Sequence, residues 1–492
     1  MSIERNWLQI SCQRTVANDQ FDKGVQDYNF SVGGRYAFVP SRSYFRIGME
    51  LEARIGGRPR RPLRRDNIAF SDNVCSNLFT NCYFRAGGAD VSSIVNRSAL
   101  AHQVKTRLSK SGAWMNSIGK SAYFLDPDFT SRVNETALDG VEAQTPQVQL
   151  EVGDPGATVA ITAADGVVAG IGTEFDDKAE VGDILVVEGA RYTIVDVTDA
   201  VTMTVEPRPS GDIAATTDAY ILKTSSPATD RKSEVYAMWQ PPIGIFDAQG
   251  SLGAGQYRIQ LNPNANYKKA CVEALDDKSL TAADGYDVRV TDVQFFACIE
   301  KTDKPATGVE KMELMEMQVQ SKTLTNRTSS NLLDFTVPPS TKAISVFVQS
   351  SVAGSDNRIP LTKFKCRDIS DSNLQGIQLT YANVAKPSTN FRSEYSNDKN
   401  FMTQRYLDTQ IASGFAYSVG GAETFDDWLK RGAIYHFDFN RDSEDRSTHV
   451  QLNIEYDNIE ENANVFVVSH YTRVCEITTT NGMISNVASL TI

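Results

Sequence analysis

Short runs of Val, Ile, Tyr, Phe and Thr recur along the chain between clusters of Gly, Pro, Asn and Asp. Tyr44–Glu52, Tyr257–Leu261, Val288–Ile299, Ile344–Gln349, Val450–Tyr456 and Val465–His470 are the clearest. In Val450–Tyr456 (VQLNIEY) strict alternation puts Val450, Leu452 and Ile454 on one face and Gln451, Asn453 and Glu455 on the other. Side chains alternate across a strand, so this reads as an antiparallel strand with one buried and one wet face. Repeated over most of the chain, the pattern predicts an all-β molecule of sandwiches or barrels.

Helical signals are few. Asn96–Ile118 carries Ala99, Leu100, Val104, Leu108 and Trp114 at roughly helical spacing, interrupted by Gly112. Thr424–Arg431 has a Thr N-cap, acids in its first turn, bases in its last and Gly432 as a stop. Isolated helices among many strands predict decorated sandwiches, not alternating βαβ units.

Charge changes the picture locally. Residues 146–225 hold fourteen Asp or Glu against four Lys or Arg, a net of −10, while the whole chain carries −12. The same stretch lacks Cys, Trp, His and Asn. A shift this sharp predicts an inserted module, a small barrel of four or five short strands joined by Gly turns. At 492 residues the length suggests about three domains. Their expected bounds are 1–145 plus 226–303, then 146–225, then 304–492, with Thr302–Gly308 as the linker between the two larger parts.

The remaining composition excludes more than it indicates. Hydrophobic residues make up 41% and charged residues 22%, which rules out a disordered chain. Met1–Trp7 has no apolar signal-peptide core and no run approaches 18 apolar residues, so neither secretion by a signal sequence nor a membrane span is expected. The seven Cys are scattered, with no Cys-x-x-Cys pair, which argues against a zinc ribbon or a disulfide scaffold and suits a reducing compartment. Four His in so long a chain leave little for metal or acid–base chemistry. No enzyme activity, cofactor or metal is expected.

Fragments that look like active-site motifs fail on spacing. Gly119-Lys120-Ser121 resembles the end of a phosphate loop, but Trp114 stands where the first Gly is required. Asp438–Asp442 begins like a calcium loop, but Ser443 replaces the turn Gly and His449 the bidentate Glu. His436 and His470 sit inside strand-like runs and read as satisfied core or interface histidines. Paired carboxylates such as Asp276-Asp277 and Asp426-Asp427 are common in an acidic chain. One cluster is denser than chance: Arg54, Arg58, Arg60, Arg61, Arg64 and Arg65, interleaved with Gly56, Gly57, Pro59 and Pro62. Six guanidinium groups on such a loop suit carboxylates of a neighbouring subunit, or the phosphates of nucleic acid or lipid.

Several stretches carry a resemblance. Leu374-Gln-Gly-Ile-Gln-Leu-Thr-Tyr381 running into Ala382-Asn-Val-Ala-Lys-Pro387 is similar to a segment of double jelly-roll major capsid proteins. Tyr435-His-Phe-Asp-Phe-Asn-Arg441, followed by Val450–Tyr456, resembles a pair of strands late in their second jelly roll. Cys82–Val91 and Pro241–Asp247 look like stretches of the virophage and Polinton-like virus proteins. The resemblance covers most of the chain outside 146–225. It implies two tandem eight-stranded jelly rolls, a small β-barrel insertion in a loop of the first, and a few short helices. It implies a structural major capsid protein whose homotrimeric, pseudo-hexagonal capsomers tile an icosahedral shell, assembled inside the host cell and located in the virion. Implied partners are itself, neighbouring capsomers, penton and minor capsid proteins, an internal membrane or genome on the inner face, and a host receptor at the insert. The alternatives are a virion spike or tail-type protein that binds a glycan or receptor, and a glycoside-active enzyme on a β scaffold.

Overall fold

The computed structural model describes residues 5–13, 18–55, 58–60, 62, 68–71, 73–119, 132, 148–179, 182–223, 233–274, 285–302, 308–324, 330–350, 372–388, 399–414, 421, 423–430, 433–439, 447–459, 463–481 and 483–491. Sixteen strands form two sandwiches. The first contains β1 (Arg5–Ser11), β2 (Gln26–Val32), β3 (Tyr44–Ile55), β4 (Phe79–Ala86), β5 (Ala89–Ile94), β6 (Ser233–Trp239), β7 (Gly255–Pro263) and β8 (Tyr286–Lys301). The second contains β9 (Gly308–Thr323), β10 (Ser330–Thr336), β11 (Thr341–Ser350), β12 (Ser372–Tyr381), β13 (Val384–Lys386), β14 (Tyr435–Asp438), β15 (His449–Ile459) and β16 (Ala463–Thr480).

The first sandwich pairs its strands as β1-β8-β3-β6 and β2-β7-β4-β5, and the second as β9-β16-β11-β14 and β10-β15-β12-β13. Adding eight to every label of the first gives the second. Each is an antiparallel jelly roll in which chain neighbours alternate between the two sheets, save for the β4–β5 and β12–β13 hairpins. Short strands at Tyr36–Phe38 and Arg58–Arg60 extend the β1 sheet, and Met483–Thr491 pairs with β16.

Alternation builds both cores. Phe45, Ile47, Met49 and Leu51 of β3 face Tyr257, Ile259 and Leu261 of β7 in one cluster, with Phe45 and Phe295 in contact at 4.8 Å between ring centroids. Ile344, Val346 and Val348 face Val450, Leu452 and Ile454 in the other, as the alternation of Val450–Tyr456 predicts. Fully burying a side chain of this size contributes roughly 1.5–3 kcal/mol, so each roll has ample driving force.

The two expected helices are present. Ser98–Ser109 is α1, and the interruption falls at Lys110 and Ser111 rather than at Gly112. Ser111 instead caps a new turn, its hydroxyl accepting the Trp114 N–H at 3.3 Å. A further helix, α2 (Lys399–Ala412), was not signalled by the sequence pattern, and α3 is Phe425–Lys430. Thr424 caps α3 as expected, its hydroxyl accepting the Asp427 N–H at 3.2 Å. Trp428 of α3 is buried in the second core and donates its indole N–H to the Ile434 carbonyl.

Between α1 and β6, residues Val148–Lys223 contribute eight strands, not four or five, hydrogen-bonded into one sheet. Ile213 and Ile221, on strands towards opposite ends of that sheet, share one hydrophobic cluster with Leu185, Ile194 and Met203 from its middle. A single sheet whose ends meet one core must curl round it. The tight turns and bulges that shorten these strands, as at Asp196 and Asp199, explain why the pattern undercounted them.

Candidate functional site

The chemistry-bearing residues of this molecule gather where the two rolls meet. Glu316 of β9 is buried, and its carboxylate accepts the Ser92 hydroxyl of β5 and the Gly244 N–H at 3.3 Å. The Ser92 oxygen in turn accepts the Ile245 N–H at 3.3 Å. Burial pushes the Glu316 carboxyl up to about 7, against these two hydrogen bonds and the positive charges of Arg473 and Lys105. Gly244 permits the approach, since a Cβ there would lie 2.7 Å from the Met315 carbonyl oxygen. Arg107 of α1 donates from Nε to Glu423 at 2.8 Å, both side chains being buried. Arg97 lies over the Phe466 ring at 4.9 Å. Leu314, Met317, Phe347, Phe466 and Val468 of the second roll belong to the same hydrophobic cluster as the first roll. The two rolls therefore form one continuous packed unit.

The outer faces of the corresponding sheets differ. On β11 and β16, Phe347 and Phe466 stack at 5.0 Å, fully covered by the first roll. On β3 and β8, the corresponding strand pair, Tyr44 and Phe296 stack at 5.3 Å and are only partly covered. Arg46 lies 5.6 Å from both Phe296 and Tyr236 and is paired with Asp292 at 3.0 Å. Around them Trp7 is 51% exposed and Tyr236 57%. Met238 is exposed as well. In the second roll, α2 occupies the β13–β14 connection, as α1 occupies the β5–β6 connection, and carries Leu407 at 51% and Ile411 at 42% exposure. Four residues apart, these two share a helix face.

No protein-family profile and no curated protein sequence matches the chain. Among solved structures, it is similar to a chain of the Sputnik virophage structure determined by cryo-electron microscopy, at 9% identity over 99% of this chain and 88% of that chain, with a TM-score of 0.52. The mavirus major capsid protein aligns at 9% identity over 99% of this chain and 90% of that one, TM-score 0.46. The PBCV-1 virus capsid aligns at 7% identity over 99% and 97%, TM-score 0.46. The fold is the double jelly roll of viral capsid proteins.

Within the double jelly roll, the stretches that carry the resemblance fall on β12–β13, on β14 and β15, on β4–β5, and just after β6. The arginine cluster starts in β3, which contains Arg54, and Arg58–Arg60 pairs back on Ala53–Ile55 as a hairpin, where an irregular loop was expected. The pairing of Ile55 with Arg58 leaves only Gly56-Gly57 between them, the spacing of a two-residue hairpin. Arg61, Arg64 and Arg65 lie outside the described residues. His436 Nδ1 and His470 Nε2 both bond the Ser345 hydroxyl, at 2.9 and 2.8 Å. Burial lowers both rings, to about 4 and about 3, so both are neutral at ordinary pH. Among the described residues, no carboxylate joins this serine and its two neutral histidines in a hydrogen-bonded triad. Asp426 and Asp427 occupy the first turn of α3, where carboxylates favour the helix dipole. Asp276-Asp277, Lys120-Ser121 and most of the Asp438–His449 loop lie outside the described residues. Among the described residues no group of His, Cys, Asp and Glu is placed to hold a metal, and no helix is long and apolar enough to cross a membrane.

The inter-roll contacts join residues far apart in the chain: Arg107 and Glu423 are 316 positions apart, and Ser92 and Glu316 are 224 apart. The one local signal is Arg107 itself, a charge on the buried side of α1 beside Leu100 and Val104.

Proposed function

We propose that the chain is the repeating unit of a viral capsid, three copies closing head to tail into a ring of six jelly rolls that tiles an icosahedral shell. The observation that carries this reading is a pair of unmatched surfaces. Inside one chain, the outer face of β9-β16-β11-β14 is covered by the first roll, which presents β5, α1 and the Gly244–Phe246 turn. The corresponding face of the first roll leaves Trp7, Tyr236 and Met238 exposed among the described residues. The corresponding cover on the second roll, β13 and α2 with Val384, Leu407 and Ile411, has no such face to lie on. Each chain thus ends in one face and one cover, complementary to those of the next copy. A contact between two different surfaces is heterologous and closes into a ring when the rotation allows. Stable interfaces of this class bury on the order of 2,000 Å².

In this reading residues 146–225 form a domain projecting from the β5–β6 connection of the first roll, solvated by its charge and open to a receptor, and the virion is the chain's location. The arginines from Arg54 to Arg65 lie at the base or flank of the capsomer and bind carboxylates or phosphates there. Their replacement (Arg60, Arg61, Arg64 and Arg65 to Ala) leaves the capsomer folded and lowers the yield of assembled shells. Negative-stain electron microscopy of the purified chain tests the reading: the expected particles are hexagonal blocks with three projections. A field of isolated single sandwich pairs at micromolar concentration counts against it.

A further inference from the structure

Beside the open sheet face lies a cavity of about 240 Å³ that the capsid reading does not use. It is framed by the start of β3, the end of β6, the turn at Ser41-Arg42, and α1 with the segment that follows it to Ile118. At about 30 Å³ per water it holds eight or so water-sized groups, small for an organic ligand site.

Its wall divides into two parts. Trp114, Ile118 and Met238 form an apolar side. The lining also gathers cations: Arg42, Lys105 and Lys110 against the single carboxylate of Asp247. Lys105 is ion-paired with Asp247, so that carboxylate is already engaged. His102 is neutral, held down to about 3 by burial, and its Nδ1 is bonded to the Asn73 amide at 2.8 Å. Among the described residues, two positive charges are left over, on Arg42 and Lys110. Lys110 is the more telling, because it is partly buried and rests on the Trp114 ring at 5.7 Å with no carboxylate in ion-pair range among the described residues. Burial holds its ammonium below the usual lysine value, with Lys105 acting in the same direction and Asp247 against it. A desolvated ammonium without a counter-ion is a costly arrangement unless something anionic joins it.

We propose that this cavity binds a small amphipathic anion: one carboxylate or phosphate group set against Lys110 and Arg42, carried on a short apolar chain lying along Trp114, Ile118 and Met238. The site is complete within one chain and stands whether or not the capsid reading holds, although Met238 belongs both to it and to the open sheet face.

Two of the four tryptophans line the cavity, so intrinsic fluorescence reports on it directly. The full-length protein is titrated with octanoate, octyl phosphate, 1-octanol and inorganic phosphate, with calorimetry alongside. Saturable binding of octanoate or octyl phosphate is expected, at least about tenfold tighter than that of 1-octanol or inorganic phosphate. Whichever of the two amphiphiles binds more tightly identifies the headgroup. Lys110→Gln weakens binding by about tenfold or more. Arg42→Gln, at an exposed position that folding does not depend on, weakens it in the same direction and decides the matter should Lys110→Gln fail to fold. Equal binding of octanol and octanoate, no saturable binding of either amphiphile, or full affinity in Arg42→Gln overturns the proposal.

Discussion

The outer faces of β1-β8-β3-β6 and β9-β16-β11-β14 share a strand order and a stacked aromatic pair on corresponding strands. One face is sealed beneath the neighbouring roll and the other stands open. The sealed face has a buried carboxyl and a buried ion pair at its margins, whereas the open face keeps Arg46, Asp292 and Gln294 in partly solvated hydrogen bonds. In the proposed reading, the contrast separates a contact made once, on folding, from one left for association. A permanent contact tolerates desolvated charge held in fixed geometry. A surface that must first exist in water keeps its charges wet and stacks its aromatics under an arginine.

The largest effect is expected from breaking the sealed junction electrostatically. Arg107→Ala leaves Glu423 charged and buried, and costs about 3–5 kcal/mol in chemical denaturation. Replacing both partners together by apolar residues costs much less, because no orphan charge remains.

Next come the two aromatic pairs. Phe466→Ala opens a cavity in the shared core and destabilises the chain by about 3–5 kcal/mol. Phe296→Ala, on the open face, costs about 1 kcal/mol by the same measurement while weakening self-association. Equal costs would erase the distinction between the faces.

The junction is also expected to respond to pH. The Glu316 carboxyl titrates near 7 in the folded protein against an ordinary value of 4.5. A raised folded value means that the neutral form is favoured by folding. Its contribution is complete below about 4.5 and is lost as pH rises through about 7, on the order of 3 kcal/mol in all. Subtracting the stability-versus-pH curve of Glu316→Gln from that of the wild type isolates this slope. A difference curve flat from pH 5 to 8 would contradict the assignment.

Much of the fold was legible because its strands alternate cleanly. Val450, Leu452 and Ile454 are buried as their spacing required, and Thr424 caps the helix that its sequence announced. What stayed hidden has a physical reason. α2 breaks the usual helical pattern because Leu407 and Ile411 point to solvent, so its apolar residues do not gather on a single core-facing side. The insert's strands are too short and bulged to count from periodicity. Of the cavity, the residues from His102 to Ile118 belong to one helical run and the turn after it, whereas Arg42, Met238 and Trp239 reach it from other elements. Likewise the junction depends on residues hundreds of positions apart, and a single sequence carries no record of such pairings.

The smallest effect on stability and the largest on assembly are expected at the open surfaces. Tyr236→Glu with Met238→Glu alters the face, and Leu407→Glu with Ile411→Glu alters the helical cover. Each double variant should melt close to the wild type, since surface changes of this kind stay within about 0.5 kcal/mol per site.

Native mass spectrometry of these two variants, alone and mixed, tests the central claim most directly. The account predicts trimers for the wild type and monomers for each variant alone. An equimolar mixture should give a one-to-one dimer and nothing larger, because the intact face of one variant meets the intact cover of the other and the remaining contacts cannot close the ring. A monomeric wild type, or trimers persisting in either variant, would contradict it.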